Sequence, residues 1–154
     1  ASLRGKYPDL ELLVVGKPTV GGATEQLIKQ LGIADKVQFV SGISTEQMVQ
    51  YFAEATIAVV PSVYEGFGLP VLDAMSSGTP VICRAGTSME EFSQGACVLC
   101  ETGEPEELAS KLDTLLSSQS TRNDWAEKGL RQAAQFSWQR CAAETAEVYR
   151  QISY

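Results

Sequence analysis

The sequence predicts an α/β fold, a mainly parallel, doubly wound sheet carrying a helical C-terminal tail. Three observations predict it. Short apolar runs alternate with stretches of helical periodicity through the first two-thirds of the chain. The first run, Leu10 to Val15, is almost continuously apolar, the pattern of a strand covered on both faces. From Glu104 onward the strand-like runs cease and leucines recur at helical spacing.

The elements follow in order. The first strand ends at Gly16, and a Gly/Pro/Thr-rich stretch leads to a helix from Thr24 to Leu31, stopped by Gly32. Val37 to Val40 is the second strand. Ser44-Thr45-Glu46-Gln47 is a capping-box pattern opening a helix with Met48, Tyr51 and Phe52 on one face. Ile57 to Val60 is the third strand, halted by Pro61, and a loop then enters a helix at Leu69 with Pro70 in its first turn. Val81 to Cys83 and Cys97 to Leu99 are the fourth and fifth strands. Helices from Glu104, from Thr121 to Gln135 and from Trp138 to Ile152 close the chain. No repeat or linker divides it, so residues 1–154 read as one domain, with the C-terminal helices over about 104–154 included.

Composition bounds the chemistry. The net charge of -7 disfavours nucleic acid and anionic membrane surfaces as partners. No apolar run approaches the ~20 residues of a spanning helix. The chain has no histidine, which removes imidazole as a general base and every imidazole metal site. Cys97 and Cys100 form a C-x-x-C, but no second pair supplies further ligands. Two small buried thiols in a strand are the simpler account, and no metal or cofactor is expected. Scattered free cysteines suit a reducing, cytoplasmic compartment.

In doubly wound sheets ligands bind beyond the carboxyl ends of the strands. The loop Ser62 to Gly68 lies at such an end. Gly66 and Gly68 allow positive φ and a close approach of backbone to ligand. The helix that follows offers unpaired N–H groups and a dipole to an anion such as a diphosphate. Glu65 is an awkward neighbour for phosphate but suits the hydroxyls of a sugar, and Asp73 lies about one turn into the helix. A diphosphate between two polyols is a nucleotide sugar. On the loop alone, a bare strand-to-helix turn with a solvated Glu65 explains the residues equally well.

The run PSVYEGFGLPVLDAMSSGTPVI closely resembles the nucleotide-sugar-binding signature of the retaining glycosyltransferases of family 4, also called group 1. YPDLELLVVG, VQFVSGIS, TSMEEFSQGACVL and FSW with Tyr149 resemble further segments of that family in order, so the likeness covers nearly the whole chain. The resemblance implies one Rossmann-like half of a two-domain GT-B enzyme that moves a sugar from a nucleoside diphosphate to an acceptor. It implies Glu65 as the catalytic residue, the first acidic residue of the family's motif, contacting donor-sugar hydroxyls, and backbone contacts from Gly66, Phe67, Gly68 and Leu69 to sugar and diphosphate. It further implies Asp73 at the ribose, Ile43 beside the base and Gly16 at a glycine turn. Asp73 stands where the family usually has Glu, and Glu90 stands where it has Pro before Glu91. Arg84, Ala85 and Gly86 follow the fourth strand and face the cleft, without an assigned role.

In the family an amino-terminal acceptor domain and the first strand of the donor domain precede the segment matched here, bringing the Arg and Lys that neutralise the diphosphate. The expectation is therefore an incomplete catalytic unit, inactive alone, whose partners are a nucleotide sugar and that domain. Through that domain the enzyme would sit peripherally at the inner membrane. Lys17 is a cation in the right region, though surface solvation accounts for it as well. The closing helix from Trp138 to Tyr154 crosses to the other domain in complete enzymes, so its apolar face would be exposed and open to self-association. A degenerate, non-catalytic interaction module is the alternative. A glycoside hydrolase using Glu65 and Asp73 is disfavoured, because such pairs sit on separate elements across a groove. A nicotinamide oxidoreductase is disfavoured because Gly16 is followed by Lys17-Pro18-Thr19 rather than a glycine fingerprint.

Overall fold

The computed structural model describes residues 1–152, which fall into two compact units, residues 1–48 and residues 49 onward. In the first unit β1 (Leu12–Val15) pairs in parallel with β2 (Val37–Val40), Leu12 opposite Val37 and Val15 opposite Val40. Helix α1 (Ala23–Gln30) connects them, with one 3₁₀ turn at Ala34–Lys36 before β2. The apolar run from Leu10 becomes strand only from Leu12, and Leu12 and Val15 remain about half exposed. No residue of this unit is fully buried, because a two-stranded pair with one short helix encloses no interior.

The division between the units falls within α2 (Thr45–Glu54), whose capping box forms as its sequence predicts. Ser44 Oγ accepts from Gln47 N–H at 3.2 Å, and Gln47 Oε1 accepts from Ser44 N–H at 2.9 Å.

In the second unit β3 (Ala58–Val60), β4 (Val81–Arg84) and β5 (Val98–Cys100) form a parallel sheet in the order β3-β4-β5. Helices α3 (Leu69–Ser76) and α4 (Ser88–Ser93) supply the two crossovers. The tail is α5 (Pro105–Ser117), α6 (Gln119–Ala133) and α7 (Trp138–Ile152). The alternation of β4 sorts its side chains onto two faces. Val81 and Cys83 pack with Val71, Met75, Met89 and Phe92 of α3 and α4. Ile82 packs on the other face with Leu108, Leu112 and Leu115 of α5. Each such side chain, withdrawn from water, stabilises the fold by ~1.5–3 kcal/mol.

Cys97 joins the first of these clusters and Cys100 the second, so the C-x-x-C thiols are buried on opposite faces. The buried Thr79 donates its hydroxyl to Phe52 O, tying α2 to the α3–β4 turn. Helix α7 buries none of its described side chains, and Trp138 at its start is 75% exposed. The expected extension of this helix to Tyr154 lies outside the described residues. No helix among the described residues is long and apolar enough to cross a membrane.

Candidate functional site

The loop between β3 and α3 is built from both ends. Pro61 stops the strand, and Gly68 starts the helix from a left-handed conformation, φ 102° and ψ 44°. A Cβ on Gly68 would stand 2.6 Å from Met89 Cγ, so glycine is required there on two counts. Gly66 differs from the expectation set for it. Its φ is not positive and nothing lies within 4 Å of a Cβ built on it, so neither backbone strain nor packing demands glycine there.

At the head of α3, Val71 N–H and Leu72 N–H turn back to Gly68 O, at 2.9 and 3.4 Å. Pro70 has no N–H to satisfy. Among the described residues the N–H groups of Gly66, Phe67, Gly68 and Leu69 donate to no protein acceptor. These four consecutive N–H groups, of which the one on Gly68 belongs to a buried residue, lead into the helix, and unpaired donors at a helix start can receive an anion.

Two carboxylates flank these donors in sequence. Glu65, immediately before them, is half-buried, and Asp73, in the second turn of α3, is exposed. Neither carboxylate has a hydrogen-bond or ion-pair partner among the described residues. Partial burial raises the Asp73 carboxyl above its ordinary value. A carboxylate without a protein partner is available to hydroxyl donors of a ligand.

Gly16 and Ile43 belong to the first unit. Both follow carboxyl ends of the β1–β2 pair, and Gly16 N–H extends the ladder by donating to Val40 O at 2.7 Å. Glu65, Gly66, Phe67, Gly68, Leu69 and Asp73 are gathered on one loop and one helix of the second unit. Two cavities, of about 170 and about 310 Å³, are lined by other residues: one around Glu11, Asp35 and Gln38, the other around Gln94, Lys128 and Gln135.

The supports of the loop were not among the residues singled out in the sequence. Helix α4, absent from the predicted elements, provides all three. Ser88 Oγ lies 3.0 Å from Glu65 O and 3.1 Å from Phe67 O. Met89 fills the space beneath Gly68, and Phe92 stacks on Phe67. The signal was present: Thr87-Ser88-Met89-Glu90 has the form of a capping box, [ST]-x-x-E. Glu90 Oε2 accepts from Gly86 N–H at 2.7 Å, so the acid in the place of a proline fastens the turn before α4. Arg84 lies against Gly103, with one guanidinium nitrogen buried and without a partner in the structure.

Comparison with known proteins agrees with this geometry. Residues 1–132 match the family described as glycosyl transferases group 1. The chain is 42% identical over 145 residues to an MMP alpha-(1->4)-mannosyltransferase of Mycolicibacterium hassiacum, covering 92% of this chain and 35% of that protein. Sucrose-phosphate synthase from Thermosynechococcus elongatus superposes with a TM-score of 0.84 at 28% identity, over 98% of this chain and 40% of that one. The Anabaena protein HepE, solved with UDP-glucose, superposes with a TM-score of 0.85 at 23% identity, over 94% of this chain and 42% of that one. The chain thus spans little more than a third of the length of the curated mannosyltransferase, and its fold is that of one Rossmann-like half of a GT-B enzyme. With the family match running through the strand–loop–helix just described, the chain belongs to the group 1 glycosyl transferases.

Proposed function

We propose that this chain is the donor-binding half of a retaining, family 4 glycosyltransferase that takes a sugar from a nucleoside diphosphate. The observation that carries the reading is the row of open N–H groups from Gly66 to Leu69, set between the unpartnered acids Glu65 and Asp73. On this reading the N–H groups hold the leaving diphosphate and stabilise the charge that builds on it in the transition state. Glu65 accepts hydrogen bonds from the sugar and orients it, an effect that is worth several kcal/mol of barrier in well-aligned sites. Asp73 accepts from the ribose. Anion binding is assigned to backbone donors, so no metal is called for.

The complex of HepE with UDP-glucose supports the donor class, and the mannosyltransferase relative supports hexosyl transfer. The acceptor-binding half and the cations that neutralise the diphosphate are assigned to polypeptide beyond these residues, in keeping with the greater length of the relatives. Buried free thiols at Cys83, Cys97 and Cys100 fit a cytoplasmic site of action.

The test is a calorimetric or NMR titration of the chain with UDP, GDP and ADP, repeated on Asp73→Ala and Glu65→Ala. Binding of one nucleotide, weakened by Asp73→Ala and insensitive to Glu65→Ala until the sugar is attached, supports the reading. Silence towards all three, persisting when the longer protein is used, removes it and leaves an interaction module.

A further inference from the structure

We propose that Ser88 is a positioning residue of the candidate site: its hydroxyl turns the loop's carbonyls inward and thereby aims the Gly66 and Gly68 N–H groups at an anionic ligand. The identity of that ligand as a nucleoside diphosphate rests on the function proposed above; the orientation of the loop does not.

The argument begins with the peptide bond. In a planar trans peptide the C=O and the N–H that follows it point in opposite directions. The Glu65 carbonyl faces Ser88 Oγ at 3.0 Å, so the Gly66 N–H of the same peptide points away from α4. The Phe67 carbonyl faces the same oxygen at 3.1 Å, which sends the Gly68 N–H away likewise. One hydroxyl thus fixes two peptides of the loop. It has a single proton and two acceptors at nearly equal distance, so it shares or alternates its donation between them.

Ser88 is not occupied otherwise. It is the first residue of α4, Thr87 holds the N-cap position, and the Thr87 hydroxyl donates backward to Arg84 O. The Ser88 hydroxyl makes no bond within its own helix, where a serine serving only the helix end would be spent. The loop also has supports independent of Ser88, the Phe67–Phe92 stack and the Gly68–Met89 contact. Removing the hydroxyl is therefore expected to free the peptides without unfolding the unit.

The experiment uses the whole chain, isotopically labelled for NMR, as wild type, Ser88→Ala and Ser88→Thr. Without ligand, the carbonyl carbon shifts of Glu65 and Phe67 are read together with the melting temperature. With ligand, UDP and GDP are titrated in turn. In Ser88→Ala both carbonyl signals are expected to shift while the melting temperature moves by only a few degrees. Nucleotide affinity is expected to fall about tenfold, the scale of one lost hydrogen bond in a preorganised site. Ser88→Thr, which keeps the hydroxyl, is expected to restore both.

Carbonyl signals that stay in place in Ser88→Ala would overturn the proposal, as would an equal loss of affinity in Ser88→Thr. If wild type binds neither nucleotide, the titrations are repeated on the longer protein, and silence there as well sinks the donor-site reading while the carbonyl shifts decide the role of Ser88. Should Ser88→Ala fail to fold, Ser88→Cys, close in size and a weak donor, carries the same comparison.

Discussion

The ring of Phe67 lies flat on that of Phe92, with centroids 4.5 Å apart and planes 13° from parallel, and Phe136 meets both edge-on at 5.9 and 5.8 Å. Phe67, in the loop between β3 and α3, is thus anchored by its side chain, while its N–H donates to no protein acceptor among the described residues. Phe92 is nearly buried, so Phe92→Ala is expected to cost ~3–5 kcal/mol of stability, from lost transfer energy and a residual cavity. Phe92→Leu fills part of that volume but cannot stack. It is expected to remain folded in urea titrations while nucleotide affinity falls several-fold. Undiminished affinity in Phe92→Leu would show that the stack is a core contact only.

The two loop glycines are expected to separate stability from binding. Gly68→Ala meets a left-handed φ, a strain of ~1–2 kcal/mol, and a Cβ contact of 2.6 Å with Met89 that must also be relieved. Its thermal midpoint should drop clearly. Gly66→Ala meets neither, so its midpoint should match wild type while the added methyl blocks approach to the open donors. A pair of variants with the same stability would contradict the distinct roles assigned to the two positions.

The sheet, the helical tail and the loop were legible in the sequence because each is set by local chemistry. Apolar runs fix β2 over Val37–Val40, and the Ser44–Gln47 box fixes the start of α2. Trp138 to Ile152 has the moment of a one-faced helix and is one. Strand ends shifted by one or two residues, as at β1 and β5, because a ladder ends where its partner ends, not where the apolar run does. Helix α4 went unread because its six residues are too few to establish a period. The roles of Ser88, Met89 and Phe92 depend on contacts more than twenty residues distant, Ser88 to Glu65 being one, and no spacing rule reaches that far.

Asp73 offers a prediction in pH. Its carboxyl is raised by partial burial, so the folded state holds the proton more tightly than the unfolded chain, whose value is near 3.8. Below 3.8 both states are protonated and no penalty exists; as pH rises from there through the raised folded value, the penalty for charging the partly desolvated acid is added. Asp73→Asn escapes that penalty. Its stability relative to wild type is expected to be level at low pH and to improve as pH rises towards neutrality, read from urea midpoints. Nucleotide affinity should move the other way, falling about threefold to tenfold with the loss of a charged acceptor. A gain in stability without any loss of affinity would leave Asp73 outside the ligand contact.

Glu107 supplies the opposite sign. Its carboxylate accepts from Glu101 N–H and Thr102 N–H, each at 2.8 Å, and from Thr102 Oγ1 at 2.7 Å, so it ties the β5–α5 loop to the first turn of α5. The Glu101 backbone N–H, with help from Thr102, holds its carboxyl down to about 2 from an ordinary 4.5. A depressed acid stabilises the fold fully above its unfolded value and loses that contribution as pH falls towards its folded one. Wild type is therefore expected to lose stability between pH 4.5 and about 2 more steeply than Glu107→Gln. The two should differ most near neutrality, where only the carboxylate form accepts all three bonds with charge assistance. Urea midpoints collected across that range check the slope, and parallel profiles for the two proteins would mean that the loop closes without the charge.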